Sequence, residues 1–206
     1  MSQEFASAGL TAGQLNAIVK MLGGHDKALA FLRGEITVSA SRNWREEGGV
    51  IYFTVTSDGT TGAQWIERLE SKEFRVGSYA KSVLLSSAFK PTSGVTTEVA
   101  VLKGERFEDD ERITKNIRAE GDKRKFGKPN AEVVCLICEM FTDEEIEAMG
   151  LWWIVVMHEP IKDSDGDPYL LGACRDGDGV RLGACWDRPG CRWGRGNGFA
   201  FAVSQV

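Results

Sequence analysis

The last 56 residues constrain the fold more than any other part of the chain. Four β-type runs occur there: "LWWIVVMHEP" (151–160), "YLLGACR" (169–175), "VRLGACWD" (180–187) and "GFAFAVSQV" (198–206). They are separated by "DSDGD", "DGDG" and "DRPGCRWGRGN", rich in the Asp, Gly and Asn that tolerate turn geometry. The spacing predicts an antiparallel β-meander of three or four strands over 151–206. Upstream, helical and strand-like periods are mixed. The class expected is α+β.

The first segment, "LTAGQLNAIVKMLGGHDKALAFLRG" (10–34), reads as a helical hairpin. Thr11 suits an N-cap, Leu15, Ile18, Val19 and Leu22 recur at helical spacing, and Gly23-Gly24 ends the helix. A short second helix follows, with Ala28, Phe31 and Leu32 inward. Two such helices bury too little surface to stand alone, so packing or association is expected. Reading of a DNA groove is disfavoured, because the second helix offers only Lys27 and Arg33 as cations. The expected organisation is a hairpin (1–38), a polar linker (39–49) and a main domain (50–206).

Within the main domain, "VIYFTVTS" (50–57) and "TTEVAVLKG" (96–104) read as strands. "AQWIERLES", "SYAKSVLLSSAF" and residues 108–119 read as helices, and "FRV" as a short extended piece. "AEVVCLICEMF" is apolar throughout, which leaves helix and strand open. "TDEE" (142–145) fits a capping box for one more helix.

Three stretches are similar to a family of uncharacterised bacterial proteins. They are "LTAGQLNAIVKMLGG…ALAFLRGE", "IERLESKEFRVGSYAKSVLLSSAF" and "WWIVVMHEPIKDSDGDPYLLGACRDGDGVRL". Members share the first helix with its Leu, Gln and Asn before two glycines, and an EPIxDSDGDP segment before the terminal strands. The resemblance covers most of the chain and implies the same domain, but brings no function with it.

Asp163, Asp165 and Asp167 alternate like the opening ligands of a calcium loop and are the candidate metal residues. Pro168 and Cys174 stand where such a loop needs glycine and a bidentate glutamate, and the flanks are strand-like, so a turn is favoured. "CLIC" (Cys135, Cys138) has zinc spacing, and Cys174, Cys185 and Cys191 could complete a site. A turn at 176–179 would pair Arg175 with Val180, Cys174 with Arg181 and Leu170 with Cys185. Cys174 and Cys185 then lie roughly 13 Å apart at ~3.3 Å per residue, so buried thiols are favoured.

"GDKRKFGKP" (121–129) departs from a phosphate loop, with five residues between its glycines and Pro129 after Lys128. It is expected to be a solvated basic loop, and Lys123, Arg124, Lys125 and Lys128 are candidates for an acidic partner. The preferred binding stretch is 185–199, where Trp186, Arg188, Arg192, Trp193 and Arg195 interleave, since tryptophan and arginine anchor interfaces. Such surfaces also stack single-stranded bases. His158-Glu159 is the one conceivable acid–base pair.

The chain has 206 residues, is 42% hydrophobic and 27% charged, and carries a net charge of −5, which gives no global field for nucleic acid or anionic lipid. No apolar run is long enough to span a bilayer. No signal peptide is apparent and the cysteine count is odd, so a cytoplasmic location is expected. No cofactor is implied. The function expected is a non-enzymatic binding or assembly protein with a protein partner or self-association through the hairpin. Two alternatives stand beside it: a metal-dependent or hydrolase-like enzyme around His158, Glu159 and the aspartates, and a nucleic-acid accessory protein using the basic and Arg/Trp loops.

Overall fold

A computed structural model describes residues 11–36, 42–163, 165–175 and 179–204. The chain divides into two compact units, Met1–Arg42 and Asn43–Val206.

The first unit holds α1 (Ala12–Met21) and α2 (His25–Leu32). Thr11 caps α1 through a reciprocal capping box with Gln14, and Gly23 and Gly24 turn the chain with φ of 88° and 107°. Within these helices Ala28 alone is buried.

The second unit contains β1 (Arg45–Glu47), β2 (Val50–Asp58), α3 (Gly62–Ser71), β3 (Arg75–Val76) and α4 (Ser78–Leu85). There follow β4 (Ser93–Lys103), α5 (Thr114–Lys123), β5 (Phe126–Gly127), α6 (Val133–Met140) and α7 (Asp143–Ala148). It closes with β6 (Trp153–Val156), β7 (Ile161–Lys162), β8 (Pro168–Arg175), β9 (Val180–Trp186) and β10 (Asn197–Val203). The strands form one mixed sheet in the order β1-β2-β4-β10-β6-β8-β9-β3, with β5 against β10 and β7 against β8. The α+β class holds.

Several expectations need correction. Part of the expected linker is edge strand β1, hydrogen-bonded to β2 in the register Glu47–Val50, with Trp44 buried beside it. The terminal meander is interrupted: β6, β8 and β9 are antiparallel neighbours, but β10 crosses to lie between β4 and β6, parallel to β6. The reason is burial. "NGFAF" is buried on both faces, which only an interior strand satisfies, and the 187–196 connection is long enough to reach one. The run at 133–140 is helix, and α5 starts at Thr114 rather than 108. The segment before it is held by Arg112, whose buried guanidinium donates to the carbonyls of Gly104 (2.8 Å) and Phe107 (2.7 Å).

The sheet separates two apolar layers. One contains Trp65 and Leu69 of α3, Val83 of α4, Val134 and Ile137 of α6 and Ile146 of α7 against Ile51, Phe53, Val99 and Leu171. The other contains Ile117 of α5 with Leu102, Val155, Leu170, Phe199 and Phe201. Gly121 lets α5 lie close on this second face, since a Cβ there would stand 2.5 Å from the Phe201 ring.

Candidate functional site

The aspartate segment is a turn between β7 and β8. Asp163 Oδ1 accepts the backbone N–H groups of Asp165 and Asp167, both at 3.0 Å, and Gly166 takes φ 87°. Asp167 instead meets Arg188 at 3.4 Å. The three carboxylates therefore do not converge as calcium ligands. Among the described residues no group of three or more His, Cys, Asp or Glu is placed to hold a metal ion. All five cysteines are free thiols, and Cys135 and Cys138 face the core, where burial pushes both thiols up. The β8–β9 register is Arg175–Val180, Cys174–Arg181 and Leu170–Cys185. The turn residues 176–178 lie outside the described residues.

His158 is not a surface acid–base group. It is 1% exposed, and its Nε2 and Nδ1 are taken by the Leu171 N–H and the Glu159 carbonyl. Glu159 turns outward to Lys128.

The Arg/Trp stretch splits in two. Trp186, at the end of β9, stays 47% exposed; Arg188 lies over its ring at 4.5 Å, and its Nε1 donates to Tyr169 Oη at 2.8 Å. Tyr79 of α4 stacks on Tyr169 with centroids 5.2 Å apart and is itself 56% exposed. The result is a pair of exposed aromatics, Tyr79 and Trp186, resting on the buried Tyr169 and flanked by an Arg–Asp pair. Trp193 belongs elsewhere. It packs edge-on against Trp153 and Phe199 in the second layer and donates to Thr114 Oγ1 at 3.0 Å. Arg192 makes a backbone bridge to Ile113, and its side chain is exposed, as is that of Arg195.

The basic loop is likewise more ordered than its composition suggests. Lys123 is the last residue of α5, Arg124 pairs with Glu120 at 2.7 Å, and Lys128 pairs with Glu159. Lys125 takes a left-handed φ of 59° to feed β5, which pairs with β10. These cations are thus largely matched by acids, which weakens them as a phosphate track.

Three polar clusters join residues far apart in sequence. Arg68 of α3 binds Glu139 of α6 through two nitrogens, reaches Asp58 at the end of β2 with a third, and stacks on Trp65 at 4.6 Å. Hydrogen bonds from Thr60 and then Arg68 hold the Asp58 carboxyl down at about 2. Ser57, Thr92 and the buried Glu132 form a hydrogen-bonded chain on the wall of a 190 Å³ cavity that Lys128 and Asn130 also line. The third is a 330 Å³ cavity between α5 and the loop after β9. Lys115, Arg118, Ala119 and Asp122 face it at i, i+3, i+4 and i+7, the helical spacing of one face. Opposite stands Asp187, whose Oδ2 accepts from Arg118 Nη2 at 2.9 Å. That helical row was readable in the sequence; its partner, 69 residues away, was not.

No family model, curated protein or solved structure matches the chain.

Proposed function

We propose that this protein binds or assembles rather than catalyses, and that its helical hairpin is the association surface, for a second copy of the same chain. One observation carries the reading: the hairpin buries almost nothing of what it should. Met21 and Leu32 are 79% and 78% exposed, Leu15 is 50%, and Ile18, Leu29 and Phe31 are all open, against a single buried Ala28. Helices of ten and eight residues are marginal in water without an apolar face covered. Pairing two hairpins would cover these faces in the manner of a four-helix bundle. The buried, doubly bonded His158 and the dispersed aspartates support a non-enzymatic role.

Light scattering on the full chain, on Leu15→Glu/Leu29→Glu and on a chain lacking residues 1–36 tests this. The intact chain should weigh at least twice the monomer, and both variants should fall to the monomer mass. A full-length monomer, or variants of unchanged mass, would overturn it.

A further inference from the structure

We propose that the cavity between α5 and the loop after β9 binds a compact zwitterion, specifically a free α-amino acid. The first reason is an orphan acceptor. Asp187 is anchored by Arg118 through Oδ2, but its Oδ1 is buried and has no hydrogen-bond partner among the described residues. A buried acceptor without a donor is disfavoured, so this oxygen is set for an N–H brought from outside.

The second reason is the charge pattern. The lining carries two cations, Lys115 and Arg118, and two anions, Asp122 and Asp187. Among the described residues, Lys115 and Asp122 have no ion-pair partner, and Arg118 makes one ion pair, to Asp187. A simple anion or a simple cation meets matched attraction and repulsion here. A molecule with both charges close together does not: its carboxylate faces Lys115 and Arg118 while its ammonium donates to Asp187 Oδ1. Arg118 and Asp187 touch, so the two ligand charges must be near neighbours, as they are on one α-carbon.

The third reason is room. Ala119 stands between Lys115 and Asp122 on the open face of α5, and its small side chain leaves the cavity at 330 Å³, at the lower end of ordinary ligand sites. Thr114 also lines the cavity, and its Oγ1 accepts from Trp193, which leaves its own proton to donate.

Isothermal titration calorimetry on the full chain with L-alanine, L-leucine and L-arginine, beside propionate and propylamine, tests the proposal. At least one amino acid should bind with Kd below about 1 mM, and the singly charged controls at least ~10-fold more weakly. Ala119→Leu, a change at an exposed helix position, should weaken binding by at least ~10-fold while leaving the melting temperature unchanged. Absence of binding by all three amino acids would overturn it. So would controls that bind equally well, or binding unaffected by Ala119→Leu.

Discussion

His158 Nε2 accepts a hydrogen bond from the backbone N–H of Leu171 at 3.0 Å, and this fixes the state of the whole ring. A backbone N–H can only donate, so Nε2 is unprotonated and Nδ1 carries the proton that it gives to the Glu159 carbonyl at 2.6 Å. Burial, opposed by that carbonyl, pushes the imidazole down from 6.5 to about 4. The folded chain therefore refuses a proton that the unfolded chain accepts. Stability should fall as pH drops from about 6.5 towards 4, by up to about 3 kcal/mol from this residue. Urea unfolding at pH 7 and pH 4.5 measures it. The loss should be smaller by about 2 kcal/mol in His158→Gln, which keeps an acceptor for Leu171 but cannot titrate. Equal losses in the two proteins would contradict the assignment.

Gly172 and Gly183 face each other across β8 and β9, and the Trp153 indole lies over the pair. A Cβ on Gly172 would sit 2.1 Å from Trp153 Nε1, whereas one on Gly183 would stay at an ordinary 3.7 Å. Gly172→Ala should displace the indole from its edge-on contact with Trp193 and destabilise by about 1–3 kcal/mol. Gly183→Ala should change stability by less than about 1 kcal/mol. Thermal unfolding compares them, and near-ultraviolet circular dichroism should change in the first variant alone.

Local chemistry was readable, and long-range placement was not. Thr142 with Glu145 forms the capping box its spacing predicts, and Thr11 is the N-cap expected of it, with Gln14 completing a box there too, because every partner lies within one turn. The β8–β9 register followed from a tight turn and the period of two. The position of β10 was missed because "GFAFAV" carries no mark of which neighbour it takes. Trp193 was read beside Trp186, seven residues earlier, yet the 187–196 connection carries it under the sheet against Trp153. Charge pairs such as Arg118–Asp187 and Arg68–Glu139 span 69 and 71 residues, so no local pattern announces them.

Glu132 is 2% exposed, and both its oxygens serve Thr92: Oε1 accepts the hydroxyl at 2.5 Å, and Oε2 the backbone N–H at 3.0 Å. The carboxylate thereby ties the start of α6 to the segment entering β4. Glu132→Ala leaves the half-buried Thr92 N–H and hydroxyl without that acceptor and should destabilise by about 1–3 kcal/mol. Glu132→Gln keeps one oxygen and should lose about half as much. Hydrogen exchange at the Thr92 amide should accelerate in both, and more in the alanine variant. An unchanged amide would show that the carboxylate does not hold this turn.

Arg68 is the joint between β2, α3 and α6, and its value depends on how wet the joint is. Its side chain is 35% exposed, but Glu139 is only 13% exposed, so solvent screens one partner far more than the other. Burial pushes the Glu139 carboxyl up, while the hydrogen bonds from Arg68 and from Lys72 at 2.5 Å outweigh it and hold the group below its ordinary range. Removing the guanidinium leaves burial opposed by Lys72 alone. Arg68→Ala should therefore raise the Glu139 pKa, visible in a carboxyl-resolved NMR titration, and lower stability at pH 7 by about 1–2 kcal/mol after screening. A depressed folded pKa contributes stability above the unfolded value near 4.5 and loses it as pH falls through the folded one. The gap between native and Arg68→Ala proteins should accordingly narrow below about pH 4.5. A gap constant down to pH 3 would mean that Arg68 acts through its packing on Trp65 rather than through charge.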